Sequence, residues 1–232
     1  MTRNVAAILA GGTGSRTGFS VPKQFVELCG RTVLERSVDA FEQNENISDI
    51  IIVSGADHVE HVRSIASRNG WQKLRAIVAG GKERCDSTRA AVEACPEGTD
   101  NLLLHDAARP LVSQRIINDV CRALESNEAV SVAVPSTDSL IEVNGTRMLR
   151  PIDRSHVWRA QTPQAFHRNV IARTYELAAK DSGFFATDDC AAVMKYLPDT
   201  KITVVKGEES NLKLTYADDA PKLEDIIRRQ NG

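Results

Sequence analysis

Short runs of apolar, often β-branched residues recur along this chain, separated by longer stretches whose apolar positions fall three and four apart. Val5 to Ala10 is the first run, and Gly11-Gly12 stops it. Ile50 to Val53, Leu74 to Val78, Leu102 to Leu104 and Val130 to Val134 repeat the pattern. Runs this short and continuous predict strands buried on both faces. Between them Thr32 to Gln43, Asp57 to Asn69, Glu83 to Ala94 and Ser113 to Glu125 carry helical spacing, with Ser113 placed to cap its helix. This alternation predicts an α/β fold with a doubly wound, mainly parallel sheet.

The rhythm breaks between Pro135 and Pro163. Ser139 to Val143, the turn pair Asn144-Gly145 and then Met148-Leu149 predict a β-hairpin. It is read as a protruding arm at about 136–157, a lid or an oligomerisation device, on one domain spanning 1–232. Beyond it the pattern predicts helices near His167–Lys180 and Thr187–Lys195, a strand at Ile202–Val205 and a last helix from Asp218 to Arg229.

Composition narrows the function. A chain of 232 residues, 42% of them hydrophobic, can bury a core without staples. A net charge of -2 advertises no nucleic-acid or anionic-membrane surface, so an anionic ligand must be met by a local basic site. Cys29, Cys85, Cys95, Cys121 and Cys190 form no CxxC pair and no Cys/His zinc pattern, and read as reduced thiols of a cytoplasmic protein. Val5 to Ala10 is too short for a signal segment or a membrane span.

Candidate chemistry gathers where the predicted strands end. The first strand runs into Gly11-Gly12-Thr13-Gly14-Ser15-Arg16, and Pro22-Lys23-Gln24 follows. Three glycines let backbone N–H groups approach a polyphosphate, and Arg16 and Lys23 supply positive charge. A glycine-rich turn with two surface bases is the plainer alternative. A Walker loop needs a GK[ST] ending that is absent, and Thr17 stands where a dinucleotide fingerprint needs a small residue.

Leu102 to Leu104 leads into His105-Asp106-Ala107-Ala108-Arg109, placing Asp106 and Arg109 at the carboxyl edge of the sheet, where open α/β folds bind ligands. Asp106 beside a triphosphate suits a magnesium ion, and Arg109 a second phosphate. The competing reading makes Asp106 a turn cap paired with Arg109. No GxSxG elbow accompanies His105, so it is read as structural. Gly80-Gly81 through Ser87 opens a helix after a strand, where backbone and hydroxyl groups can meet a nucleotide. Asn211 to Thr215 brings Lys213 toward the same edge.

Taken together, Gly-x-Gly-x-Arg, Pro-Lys-Gln, Gly-Gly-x-x-Arg-x-x-Ser, His-Asp-Ala-Ala-Arg-Pro, Trp-x-Ala-Gln-Thr-Pro-Gln, Thr-Asp-[Asp/Glu] and Asn-x-Lys resemble the cytidylyltransferases that act on 2-C-methyl-D-erythritol 4-phosphate. The resemblance runs from Ala7 to Asp219. It implies a Rossmann-like nucleotidyltransferase fold and transfer of CMP from CTP to a sugar-alcohol phosphate, with Mg2+ as cofactor. On the matching residues it implies that Ala10, Gly11, Gly12 and Gly14, with Arg16 and Lys23, hold the CTP phosphates. Gly81 and Ser87 would face the cytosine and ribose. Asp106 would serve metal and substrate, and Lys213 would join Arg16 and Lys23 around the transferred phosphorus. Arg109, Ser139, Arg154, Thr162 and Thr187 would bind the acceptor, with Arg154 reaching across a homodimer formed through the arm. Leu9-Ala10-Gly11-Gly12 is also typical of a sister group using ribitol 5-phosphate, whereas Ala at 107 and 108, Trp158 and Ala160 match the erythritol group. A dehydrogenase and an inactive nucleotide-binding module are the rival classes.

Overall fold

Strands form where consecutive apolar side chains can be buried on opposite faces, and the period of two is visible in the packing. The computed structural model describes residues 2–12, 18–81, 83–181 and 188–230. Its strands are β1 (Asn4–Ala10), β2 (Glu27–Leu28), β3 (Arg31–Thr32), β4 (Asp49–Ser54), β5 (Leu74–Ala79), β6 (Asn101–Asp106), β7 (Ala129–Pro135), β8 (Leu140–Asn144), β9 (Arg147–Ile152), β10 (Trp158–His167) and β11 (Ile202–Lys206). Its helices are α1 (Val33–Glu42), α2 (Val59–Asn69), α3 (Arg84–Glu93), α4 (Gln114–Leu124), α5 (Arg168–Ala178), α6 (Asp189–Tyr196) and α7 (Asp219–Gln230).

Seven strands form one mixed sheet in the order β11-β7-β10-β6-β1-β4-β5. Ala6, Ile8, Ile50, Ile52 and Leu103 pack on one face against α1, α2 and α4. Val5, Ala7, Ile51, Val53, Leu102 and Leu104 pack on the other against α3, α5 and α6. Ser113 caps α4 as predicted, its side chain accepting from the Ile116 N–H. The strand order reverses between β1 and β6: β4 and β5 extend to one side of β1, and β6 crosses to the other. All three pairings here are parallel, so their carboxyl ends open along one rim.

The apolar pattern did not mark Trp158–His167, which forms the ten-residue strand β10 between β6 and β7, antiparallel to both. Pro163 demotes the segment as a central strand, because proline cannot donate to a ladder. The structure resolves this with a bulge: between the pairs Ala160–Ala133 and Gln164–Ser131, Gln161 to Pro163 stand opposite Val132 alone. Beyond the sheet, β8 and β9 pair only with each other as the predicted arm. Helix α7 packs on the β2–β3 segment, closing a small core with Leu28, Leu214, Leu223 and Ile227.

Candidate active site

Asp106 ends β6 beside β1, at the point where the strand order turns. It is buried, and its carboxylate is gripped from two sides. Arg84 Nη1 donates to Oδ1 at 2.5 Å, and Lys213 Nζ donates to Oδ2 at 2.6 Å. Burial pushes the Asp106 carboxyl upward, but the attraction of Arg84 and then Lys213 outweighs it and holds the group far below the usual carboxylate range. The two cations thus favour the carboxylate as an anion. The competing reading fails, because the Arg109 side chain bonds to carbonyl oxygens rather than to Asp106.

Backbone and buried polar groups fix the surroundings. The Asp106 N–H donates to Thr162 Oγ1 at 3.1 Å, and Thr162 Oγ1 lies 3.0 Å from His105 Nδ1. His105 Nε2 lies 3.0 Å from the Arg109 carbonyl oxygen, which can only accept. The chain thus fixes one neutral tautomer, protonated on Nε2, with Thr162 donating to Nδ1. Burial lowers the His105 pKa to about 4. It is a structural tie, in agreement with the sequence reading, and not a general base.

The bulge of β10 explains how Thr162 reaches Asp106. The same device recruits Lys213: fully buried Asn211 donates to the Thr162 carbonyl at 2.9 Å, and the Leu214 N–H donates to the Ala108 carbonyl at 2.8 Å. The spacing Asn-x-Lys therefore staples the segment at 211 and 214 and leaves Lys213 to project to Asp106, with 38% of its side chain exposed. Arg109 donates Nη1 to the Asn211 carbonyl at 2.8 Å and Nη2 to the Ala160 carbonyl at 3.2 Å, and its Nε has no partner among the described residues. A guanidinium held, among the described residues, by carbonyls keeps its charge for an anionic ligand.

Across the strand-order reversal, Leu9 pairs with Asp106 and the Ala107 N–H donates to the Leu9 carbonyl, so Ala10, Gly11 and Gly12 enter the same rim. A side chain at Gly12 would begin 3.3 Å from Lys23 Cε and 3.8 Å from its Nζ. Lys23 therefore lies alongside this loop, and a side chain at Gly12 would crowd its flexible end. Buried Ser87 completes that wall, its Oγ 3.4 Å from where a Gly11 side chain would begin. At Gly81 a Cβ would fall 2.4 Å from the Asp86 Cβ, so packing of the first turn of α3 already demands glycine there.

Of the predicted site, Ala10, Gly11, Gly12, Lys23, Gly81, Ser87, Asp106, Arg109, Thr162 and Lys213 thus gather along one rim. Gly14, Arg16 and Thr187 lie outside the described residues. Ser139 and Arg154 do not join the cluster by any hydrogen bond found here: Ser139 is exposed at the start of the arm, and exposed Arg154 donates to the Thr137 carbonyl at 2.8 Å. Sequence reading missed Arg84 and Asp189. Both lie inside quoted motifs, but their pairing spans 105 residues, and no local pattern signals it.

A cleft of about 1280 Å3 opens at the opposite edge, among Asn4, Asn46, Asn101 and Asn118. These amides bond to one another, Asn101 to Asn4 and Asn46 to Asn118, and so hold the edge together rather than await a ligand.

The family model described as 2-C-methyl-D-erythritol 4-phosphate cytidylyltransferase (IspD) matches residues 5–229. The chain belongs to this family. It is therefore a nucleotidyltransferase of the cytidylyltransferase kind. It is 42% identical to the 2-C-methyl-D-erythritol 4-phosphate cytidylyltransferase of Thermobifida fusca, over 97% of this chain and 94% of that one. It is 37% identical to the bifunctional ribulose 5-phosphate reductase/CDP-ribitol pyrophosphorylase of Haemophilus influenzae, over 92% of this chain but 46% of that protein. Among solved structures, 4-diphosphocytidyl-2C-methyl-D-erythritol synthase from Anaerococcus prevotii superposes with a TM-score of 0.86 at 29% identity, covering 98% of this chain and 96% of that one. No helix among the described residues is long and apolar enough to cross a membrane.

Proposed function

We propose that this rim seats CTP and transfers its CMP to the phosphate of 2-C-methyl-D-erythritol 4-phosphate, giving 4-diphosphocytidyl-2-C-methyl-D-erythritol and pyrophosphate. The observation that carries the reading is the convergence of Asp106, Lys213, Arg109 and the Lys23–Gly12 contact at the switch point of the sheet. Ala10, Gly11 and Gly12 with Lys23 take the triphosphate, joined by Gly14 and Arg16. Gly81 and Ser87 take the nucleoside. Arg109, Thr162, Thr187 and Ser139 take the acceptor.

A phosphate monoester has its second pKa near 6, so the acceptor arrives at neutral pH as an anionic nucleophile and needs no general base. This suits a site whose histidine is neutral and bonded at both nitrogens. The remaining barrier is repulsion between two phosphorylated reactants. Lys23, Lys213 and Arg109 offset it and stabilise charge that develops on the α-phosphate and the departing pyrophosphate. Lys213 is suited to move between Asp106 and a phosphate, being a flexible, partly exposed point charge.

Mg2+ fits the donor set. Among the described residues no group of three or more His, Cys, Asp or Glu forms an all-protein cage, and magnesium prefers one or two carboxylates completed by phosphate oxygens and water. Asp106, its carboxylate favoured as an anion by Arg84 and Lys213, would hold it through the oxygen that Lys213 gives up on turning to a phosphate. Bound there, the ion supplies further neutralisation of phosphate charge.

Dimerisation through the arm accounts for Arg154. The arm carries Ile141, Val143, Met148 and Leu149, each 51–52% exposed, and Arg154 at its base is not bonded to its own Asp106 cluster. In a homodimer it serves the site of the second copy. The protein acts in the cytoplasm, a setting that suits its five free cysteines.

A reading with D-ribitol 5-phosphate as acceptor draws on the relative that makes CDP-ribitol. Parallel assays of pyrophosphate release with CTP and each alcohol phosphate separate the two. Release with methylerythritol phosphate alone supports the conclusion; release with ribitol phosphate alone replaces the acceptor; release with neither overturns the transferase reading. For the dimer, mixing Arg154→Ala with Lys213→Ala protein restores part of the activity if sites are shared, and no recovery in verified heterodimers defeats sharing.

A further inference from the structure

Two cations of unequal freedom hold Asp106. Lys213 comes from the solvent side, with 38% of its side chain exposed, and is the cation assigned above to the phosphates. Arg84 comes from within, 23% exposed, at the first turn of α3. While Nη1 bonds Asp106, Nη2 and Nε lie 2.9 and 3.1 Å from Asp189 Oδ2. Asp189 has no exposed surface, and its other oxygen accepts from Thr88 Oγ1 at 2.7 Å and the Tyr175 hydroxyl at 2.6 Å. Its own N–H donates to Gln164 Oε1 at 3.0 Å. Helices α3 and α5 thus hold the carboxylate of this α6 residue, and strand β10 holds the backbone that carries it. A planar guanidinium bonded twice to a fixed carboxylate has little freedom left, and a lysine ammonium there would have much more.

We propose that Arg84, seated by Asp189, is a positioning residue for CMP transfer: it sets the Asp106 carboxylate at the rim and keeps it there when Lys213 turns to the phosphates. The inference rests on the roles given above to Asp106 and Lys213. Without Arg84, two inward-facing carboxylates lose the cation between them, and Asp106 retains only Lys213, the group that has to move. Misplacement of a reacting array by about 1 Å can cost on the order of a hundredfold in rate.

Arg84→Met removes the charge and keeps an unbranched stem. Its expected effect is a kcat loss of about a hundredfold, with CTP affinity, measured by calorimetry without metal, changed far less. Arg84→Lys restores part of kcat, because charge returns without the fork. Asp189→Asn lowers kcat less, and the Arg84→Met/Asp189→Asn double variant falls no further than Arg84→Met alone, since residues that act as a unit are not additive. A folded Arg84→Met enzyme with wild-type kcat overturns the proposal, as do single losses that multiply in the double variant. Should Arg84→Met not fold, full kcat in both Arg84→Lys and Asp189→Asn overturns it equally. Loss of activity in Lys213→Ala within the same series would leave the wider site standing.

Discussion

Asp49 and Asp106 invite comparison. Each is a buried carboxylate at the end of a strand in the same sheet, and each is held by two cations. Asp49 begins β4, where Arg3 Nε bonds one oxygen at 2.8 Å and Arg75 Nε the other at 2.5 Å. Burial pushes its carboxyl up, and the Arg3 and Arg75 hydrogen bonds more than reverse this, leaving it below the ordinary value. Asp106 ends β6, at the opposite edge. Arg3 also donates to the Glu97 carbonyl and so ties the edge of the sheet to a loop. Lys213 by contrast reaches Asp106 from a stapled loop at the carboxyl rim, where the proposed reaction asks it to turn to a phosphate. Local chemistry is nearly the same at the two ends. What separates a fastening from a candidate reaction centre is the edge of the sheet it occupies, and the kind of cation there: two forked guanidiniums at Asp49, one guanidinium and one ammonium at Asp106.

The comparison breaks most easily at Lys213. Lys213→Ala is expected to lower kcat/KM by about 10²–10³, the scale of losing one preorganised electrostatic donor, without a measurable fall in melting temperature. Unchanged turnover would place Asp106 among the fastenings, beside Asp49.

His105 sharpens it next. Its folded pKa of about 4 lies below the unfolded value of about 6.5, so the unfolded chain binds the proton first as the pH falls. Stability from this residue is fully present above about pH 6.5 and is lost progressively toward pH 4, by about 3 kcal/mol at about 1.4 kcal/mol per pKa unit. Urea unfolding at pH 7 and 4.5 should show this slope in the wild type and a flatter one in His105→Gln. Equal slopes would remove His105 as the buried neutral tie.

The smallest effect belongs to Asp49→Asn. Because Arg3 and Arg75 are partly exposed and screened, the expected loss is about 1–2 kcal/mol of stability, with kcat unchanged at 25 °C. Its carboxyl pKa is depressed, so the contribution is present above the unfolded value of about 3.9 and fades as the pH falls through the folded one. The gap between wild type and variant should close in that range. A drop in kcat at full stability would show that the two edges are coupled.

Much of this was legible in the residues. Continuous apolar runs predicted the parallel strands within a residue or two, most cleanly in β1 and β4, which are buried on both faces, whereas the edge strands β5 and β11 are only partly buried and admit polar residues. The hairpin was read from Asn144-Gly145, but the turn falls one residue later, on Gly145-Thr146, because Asn144 pairs with Arg147 as the last residue of β8. Strand β10 was not legible, because Pro163 argues against a central strand and only the bulge opposite Val132 accommodates it. Arg84 was visible as a letter in a motif, yet its role depends on Asp106, 22 residues away, and Asp189, 105 away.

By itself, then, the sequence determined most of the strands and helices, β10 being the main exception, and which residue types stand at their ends, since both follow from local periodicity and turn chemistry. Tertiary structure alone decided which charges meet. Asp106 chooses Arg84 and Lys213 rather than its neighbour Arg109, because the β10 bulge and the Asn211 staple bring distant segments to one rim while carbonyl groups claim the nearer guanidinium. Charge pairing depends on distance in space, and distance along the chain carries almost no information about it.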